Sequence, residues 1–333
     1  MTFRALWVTE KEDGKFERNI VERKIEDLPD GDVLIRVHYS SLNYKDAMSA
    51  TGNRGITRNY PHTPGIDAAG VVEISRSEKF ATGDKVVVTG HDLGMNTPGG
   101  FAEYIRVPAS WVVPLPENYS LSEAMVIGTA GFTAGLALLK MEMLGMKPHE
   151  EYPMVVTGAT GGVGSMAVAI LSKAGYNVTA VTGKTDVNEY LEFLGAKSVK
   201  PRDYVNDTSD KKLIKPRWMG AIDTVGGNTL ATLLKGCCNE GSVATTGLVS
   251  SPELHTTVYP FILNGVNLIG VGSAGTLDEF RFKVWEKLNN EWLIQDKLKT
   301  VARMITLEDL KSNYIETILA GKMVGRTVVS LID

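Results

Sequence analysis

Hydrophobic and polar positions change their period along the chain. Up to about residue 120 the apolar runs are short and bounded by turn residues. Val33–Tyr39 follows the turn Pro29-Asp30-Gly31-Asp32. Ala68–Ile74 and Lys85–Val88 flank Thr82-Gly83-Asp84, and Gly99–Val107 alternates its faces. Such runs predict strands. Many short strands with Gly/Pro turns predict a barrel-like β-domain.

Near Ser120 the character shifts. Ser120 or Ser122 can cap a helix beginning with Glu123-Ala124-Met125. From Pro153 strands and helices alternate. The strands are Met154–Thr157, Val178–Thr182, Ala221–Asp223 and Ser242–Thr245, and the helices are Val163–Ala174, Val187–Leu194 and Thr229–Gly236. That alternation predicts an α/β doubly wound parallel sheet. Gly195-Ala196-Lys197 reads as a helix exit. After about Phe261 the pattern breaks again. Asn267–Val271 can extend the sheet, Leu277–Asn290 and Glu308–Leu319 read as amphipathic helices, and Arg326–Leu331 reads as a closing strand. The C-terminal segment is expected to return to the N-terminal domain.

The chain has 333 residues, suiting two domains. Hydrophobic content is 43% and charged content 22%, as in a soluble globular enzyme. A net charge of −4 gives no nucleic-acid footprint. The two cysteines, Cys237 and Cys238, are adjacent and form no disulfide framework, so a cytoplasmic setting is expected. The first residues are too mixed for a signal peptide. The uncharged run Ala124–Leu139 falls short of a bilayer span and carries three glycines, so it reads as a buried helix and not a membrane one.

The stretch with the clearest chemistry is Val155–Ser165. A buried strand ends, the glycine-rich turn Gly158-Ala159-Thr160-Gly161-Gly162-Val163-Gly164 follows, and an apolar helix starts. Free N–H groups and the positive helix end suit a pyrophosphate, and glycine lets the backbone approach it. A lone glycine pattern is weak evidence, but a second strand follows at the right distance. The turn also fits short-chain dehydrogenases. Those use a Tyr-x-x-x-Lys pair, and none of the eleven tyrosines has lysine four residues on. Their glycine motif also lies near the N-terminus, so that reading is rejected.

The tip of the second strand sets the cofactor. An NAD site wants Asp or Glu there, whereas Thr182-Gly183-Lys184 offers a hydroxyl, a glycine and a cation. These suit a 2′-phosphate, so NADPH is the expected cofactor; the plain alternative for Lys184 is a solvated surface charge. Asp186 reads as a helix cap. The five histidines lack zinc-site spacing, and no metal is expected. Asn43 and Asp46 either cap a short helix or belong to a site. The Tyr44 phenol can donate to a reacting carbonyl or to the cofactor. Pro64-Gly65-Ile66-Asp67 alone would be a turn.

Taken together these segments resemble the medium-chain dehydrogenase/reductase superfamily. The β-rich N-terminus, Pro64–Val72, Gly99–Tyr104 and the late glycine turn match in order. Where zinc alcohol dehydrogenases place a ligating histidine and a glutamate, this chain has Ile66 and Asp67; Asn43 stands where the first ligating cysteine would be. The four-cysteine lobe is missing. The chain therefore looks like the zinc-free quinone-oxidoreductase branch. Ser40–Asp46, Ile127–Ala134, Val155–Ser165, Pro201–Asp203, Gly220–Gly226 and Pro260–Leu263 resemble the YhdH/YhfP-type quinone oxidoreductases, a family that includes acryloyl-CoA reductases.

The resemblance implies a GroES-like catalytic domain over 1–122 and 268–333 and a Rossmann-fold NADPH domain over 123–267. It implies NADPH contacts from Tyr44, from Thr160, Gly161, Gly162 and Val163 at the pyrophosphate, and from Thr182, Gly183, Lys184 and Arg202 at the 2′-phosphate. Leu248, Ile262 and Ser273 would line the nicotinamide side, and Asn43 and Asp67 the substrate cleft. Lys184 replaces a frequent arginine and loses its bidentate fork. Relatives can offer asparagine where this chain has Ala320. The implied activity is zinc-independent hydride transfer to the activated C=C bond of an α,β-unsaturated carbonyl or short enoyl-CoA, with Tyr44 a candidate proton donor. NADPH:quinone reduction is the second enzyme reading, and a non-catalytic NADPH-binding sensor is the reading from another class. A small-molecule substrate and a homodimer through the cofactor domain are expected, with no membrane or nucleic-acid partner.

Overall fold

The computed structural model describes residues 1–332. It separates into two compact units. The first comprises Met1–Thr129 and the chain from Val301 onward; the second is Ala130–Thr300.

The first unit opens with an antiparallel hairpin, β1 (Thr2–Glu10) with β2 (Phe16–Lys24). Next come β3 (Val33–Leu42), α1 (Tyr44–Ala50), β4 (Asp67–Ser75), β5 (Lys85–Thr89), β6 (Tyr104–Val107) and β7 (Val112–Pro114). Leu6, Val33, Ile35, Val37, Val86, Phe101 and Ile105 share one buried core between these strands. The Gly99–Val107 strand is shorter than its sequence suggests. Gly99 and Gly100 lie against the backbone of Pro64, Gly65 and Asp67, where a Cβ would come within 2.1–2.5 Å of carbonyl oxygens. Their close approach, not sheet pairing, is what glycine serves here.

The helix α2 (Leu121–Met143) starts with a capping box. Ser120 Oγ accepts from Glu123 N at 3.3 Å and Glu123 Oε2 accepts from Ser120 N at 2.8 Å. By length and composition it is apolar enough to cross a membrane, yet it is mostly buried inside the protein. Gly128, at φ +45°, breaks it into two helices at the edge of the first unit.

In the second unit β8 (Met154–Thr157), α3 (Gly162–Lys173), β9 (Val178–Val181), α4 (Asn188–Leu194), β10 (Ser198–Lys200), β11 (Trp218–Asp223), α5 (Gly227–Lys235), β12 (Cys237–Thr245), α6 (Tyr259–Asn264) and β13 (Asn267–Gly270) follow one another. All six strands are parallel, in the order β10-β9-β8-β11-β12-β13. The order reverses beside β8, the switch point where such sheets bind ligands. Gly195 ends α4 at φ +110°, as a left-handed cap. Asp186 makes no cap for that helix; it sits at φ +58° and Val187 occupies the cap position.

The chain leaves this unit later than its sequence suggests. Residues 268–300 were expected in the catalytic domain, and the boundary near 122. Instead β13 pairs with β12, and α7 (Asp278–Asn289) buries Val284 and Leu288 against Gly135 of α2. After α8 (Gln295–Val301), β14 (Ala302–Thr306), α9 (Tyr314–Leu319) and β15 (Arg326–Ser330) complete the first unit. There β15 pairs antiparallel with β3 and parallel with β14. The helix expected over Glu308–Leu319 is two pieces, a 3₁₀ turn at Glu308–Lys311 and α9, separated at Ser312 and Asn313.

Candidate active site

In the second unit the glycine turn lies at the sheet's switch point. Gly158 has φ +56°, and a Cβ there would stand 2.3 Å from Thr224 Oγ1. A Cβ on Gly164 would stand 2.2 Å from Gly158 O. The turn therefore folds onto the first residues of α3 only with glycine at both places. Gly161 is the N-cap of α3, and no described side chain caps it. The first-turn N–H groups of a 12-residue helix capped in this way suit an anion.

Beside the turn, four side chains converge. Lys184 Nζ donates to Thr160 Oγ1 at 3.0 Å, and Thr160 Oγ1 lies 3.4 Å from Thr182 Oγ1. Lys184 N donates to Thr182 Oγ1 at 3.1 Å. Arg202 folds across Gly183 so closely that a Cβ at 183 would meet its Nε at 2.3 Å. Burial, and then the Arg202 guanidinium, pull the Lys184 ammonium below its ordinary pKa. Two cations held together repel one another, and an anion between them relieves that repulsion.

Beneath the turn, Asp223 ties two loops together. Its Oδ1 accepts from Thr157 Oγ1 at 2.6 Å and Val225 N at 3.2 Å, and its Oδ2 accepts from Gly226 N at 2.8 Å. Thr224 N donates to Thr157 Oγ1 at 3.0 Å. Burial raises the Asp223 pKa, while the Thr157 hydroxyl and then the Gly226 and Val225 N–H groups oppose that rise. Leu248 and Ile262 are 63% and 68% exposed, and Ser273 is half-buried.

In the first unit the predicted residues Asn43 and Asp67 belong to a buried polar hub. Asp67 was expected at a substrate cleft; it is instead fully buried, and both oxygens are engaged. Oδ1 accepts from Thr129 Oγ1 at 2.6 Å and Thr129 N at 3.0 Å; Oδ2 accepts from Ser41 Oγ at 2.5 Å and Asn43 Nδ2 at 2.8 Å. Asn43 is 8% exposed, and its Oδ1 accepts from Arg326 Nη1 at 3.0 Å. Arg326, read from sequence only as the start of a strand, lies with Nη2 3.7 Å from Asp67 Oδ2. It also donates to Ser41 Oγ at 2.7 Å and Val126 O at 2.9 Å.

Asp46 adds a second carboxylate. It accepts from Asn43 N at 2.8 Å, Ile66 N at 2.8 Å and Gly65 N at 3.1 Å. Burial and the neighbouring Asp67 charge push its pKa up to about 7, against the pull of those N–H bonds. The capping reading of Asn43 and Asp46 fits this geometry: Asp46 bonds the Asn43 N–H at the start of α1, and Asn43 also bonds Asp67 in the hub. Tyr44, the next residue, is 44% exposed. Among the described residues no three His, Cys, Asp or Glu side chains gather as a metal-binding group. For Arg326 itself the sequence hint is an arginine heading the run Thr327-Val328-Val329.

Comparison with known proteins follows the same division. Residues 29–117 match the alcohol dehydrogenase GroES-like domain, and residues 162–290 match the zinc-binding dehydrogenase family. The chain is similar to a Bacillus subtilis protein named quinone oxidoreductase YhfP, 46% identical over 92% of each chain. The solved structure of YhfP, with NAD bound, superposes with a TM-score of 0.95 over 99% of each chain, at 43% identity. Acrylyl-CoA reductase AcuI of Ruegeria pomeroyi is 43% identical over 99% of each chain. The yhdH oxidoreductase of Salmonella enterica, in complex with NADP, is 42% identical and superposes with a TM-score of 0.94 over the whole of both chains. With relatives this similar along nearly its full length, the chain belongs to the medium-chain dehydrogenase/reductase superfamily, among the YhdH/YhfP-type quinone oxidoreductases and acrylyl-CoA reductases.

Proposed function

We propose that the protein is an NADPH-dependent reductase of activated C=C bonds, acting on an α,β-unsaturated carbonyl compound or a short enoyl-CoA. The carrying observation is the cluster of Thr160, Thr182, Lys184 and Arg202 beside the glycine turn. Two hydroxyls and two cations around a glycine suit a phosphate on the adenosine ribose, and no carboxylate stands at the tip of β9 to accept a ribose hydroxyl. Gly161, Gly162 and Val163 offer N–H groups to the pyrophosphate. Relatives of this kind bind either NADP or NAD, so the cluster decides between them here.

When bound, NADPH supplies the hydride for the substrate's β-carbon. The chain's own groups must stabilise charge developing on the carbonyl oxygen and deliver a proton to the α-carbon. Hydrogen-bond donors perform the first task in a site without a metal. Tyr44, exposed beside the hub, offers a phenol for either the carbonyl or the cofactor. Leu248, Ile262 and Ser273 form the nicotinamide side.

The Asp67–Arg326 hub supports a positioning role in place of substrate contact: it fixes Asn43, and hence the start of α1 that carries Tyr44. Quinone reduction is the second reading, supported by the name of the YhfP relative. For assembly, a homodimer through the β13 edge is supported by the exposed Leu268 on that strand and by exposed Tyr259 and Leu263 on α6. The adjacent free cysteines fit a reducing, cytoplasmic setting.

The test is oxidation of NADPH against acryloyl-CoA, crotonyl-CoA, simple enones and quinones, followed by absorbance. Turnover of the CoA esters or enones above the quinones supports the proposal. Quinone turnover alone supports the second reading, and binding without turnover supports a sensor.

A further inference from the structure

Arg281 lies on α7 and is 1% exposed. Its guanidinium sits over the Phe132 ring, 5.0 Å from the centroid, and Trp285 tilts against the same ring at 6.4 Å. Burial pulls its pKa down, and Asp278 opposes that pull. A guanidinium buried among aromatic rings is unfavourable unless its donors are well used. Here Nη2 donates to Ala274 O at 3.2 Å and to Ser273 O at 3.4 Å.

Those carbonyls belong to Gly270-Val271-Gly272-Ser273-Ala274-Gly275, the segment that leaves β13. After Gly270 it has neither helix nor strand until α7 begins. A Cβ built at Gly270, Gly272 or Gly275 would meet nothing within 4 Å. Glycine is thus not required there by crowding, and its effect is to widen the conformations open to the loop. Two cations hold it from opposite ends: Lys140 Nζ of α2 donates to Gly270 O at 3.0 Å, and Arg281 takes Ser273 and Ala274.

We infer that Arg281 is a positioning residue that orders the Ser273 loop for the nicotinamide half of the cofactor. It touches neither cofactor nor substrate; it acts through the two carbonyls. The inference rests on the proposed place of Ser273 beside the nicotinamide. A core arginine with only a structural role would support both halves of the cofactor equally, since both bind the same unit.

The experiment uses the full-length protein and its variants R281M and R281K. Dissociation constants are measured for NADPH and for 2′,5′-ADP, which carries the 2′-phosphate and adenosine but lacks the nicotinamide. Methionine fills the apolar space and removes the donors. In R281M the NADPH constant should rise roughly tenfold, the size expected for losing charge-assisted hydrogen bonds, with that for 2′,5′-ADP unchanged. R281K should fall between R281M and the native protein, and it carries the same comparison should R281M fail to fold. Two unchanged constants, or two that rise together, would overturn the inference while leaving the cofactor reading intact. Native protein that binds NADPH no more tightly than 2′,5′-ADP would remove the Ser273 reading, and the inference with it.

Discussion

Arg326 and Asp67 form a buried ion pair, Nη2 to Oδ2 3.7 Å, with side chains 2% and 0% exposed. They stand on β15 and β4, far apart in sequence, and Gly128 closes over them. A Cβ at 128 would meet Asp67 Oδ2 at 2.6 Å, Arg326 Nη2 at 2.7 Å and Ser41 Oγ at 2.8 Å. The kink in α2 and the hub are therefore one feature: only glycine lets Thr129 reach the carboxylate.

Breaking that pair should be severe. Arg326→Gln leaves the buried Asp67 carboxyl without its guanidinium partner, and about 3–5 kcal/mol of stability should be lost. Urea unfolding of the native and variant proteins measures it. A loss under about 1 kcal/mol, the scale of a surface pair, would show that the hub contributes little.

Lys184→Ala should weaken NADPH binding by roughly 1–3 kcal/mol, the worth of a charged hydrogen bond, and leave NADH nearly unaffected. Gly183→Ala acts by another route. The added methyl occupies the place of Arg202 Nε, so the arginine swings away and NADPH selectivity falls while the melting temperature holds. Calorimetric titration with both cofactors decides each case, and equal losses for NADH would contradict the assignment.

Stability should depend on pH through Asp46. Its ordinary pKa is 3.8 and its folded value is about 7. The folded protein thus holds a proton that the unfolded chain releases between these values. The contribution is fully present below about pH 4, falls as pH rises through about 7, and is constant above. Asp46→Asn removes the titration. Unfolding free energies at about pH 5 and about pH 8 should differ less in this variant than in the native protein; an unchanged difference would assign the slope to other groups.

Asp223→Asn tests the clamp beneath the glycine turn. Both carboxylate oxygens accept, from Thr157, Val225 and Gly226. An amide turns one acceptor into a donor facing a donor, which should cost about 1–3 kcal/mol. Thermal unfolding reads the loss, and an unchanged midpoint would mean the loops hold without it.

Much of this was legible in the sequence, for identifiable reasons. The parallel sheet announced itself because its strands are short apolar runs between glycine exits, and Thr182-Gly183-Lys184 stands directly after one of them. Chemistry carried on neighbouring residues survives in one dimension. The Arg326–Asp67 pair does not, since each residue sits in a strand that looks ordinary without the other. The hairpin strand Phe16–Lys24 was also missed, because five charged residues among its nine hide the alternation. Residues 268–300 group with the second unit and not with the catalytic domain that the resemblance implied, since apolar periodicity tells that a helix such as α7 is buried but not that its partner is α2. The reason for glycine at 183 also needed coordinates: it makes room for Arg202, which arrives from a later turn.

The central claim is that the cluster around Lys184 makes this an NADPH-dependent double-bond reductase. The most direct measurement is the specificity constant for acryloyl-CoA reduction with NADPH and with NADH, in native protein and in a variant lacking both Lys184 and Arg202 side chains. The account predicts clear turnover with NADPH, a strong preference over NADH, and loss of that preference in the variant. Equal use of both cofactors by the native protein, or a preference that survives the double substitution, would contradict it.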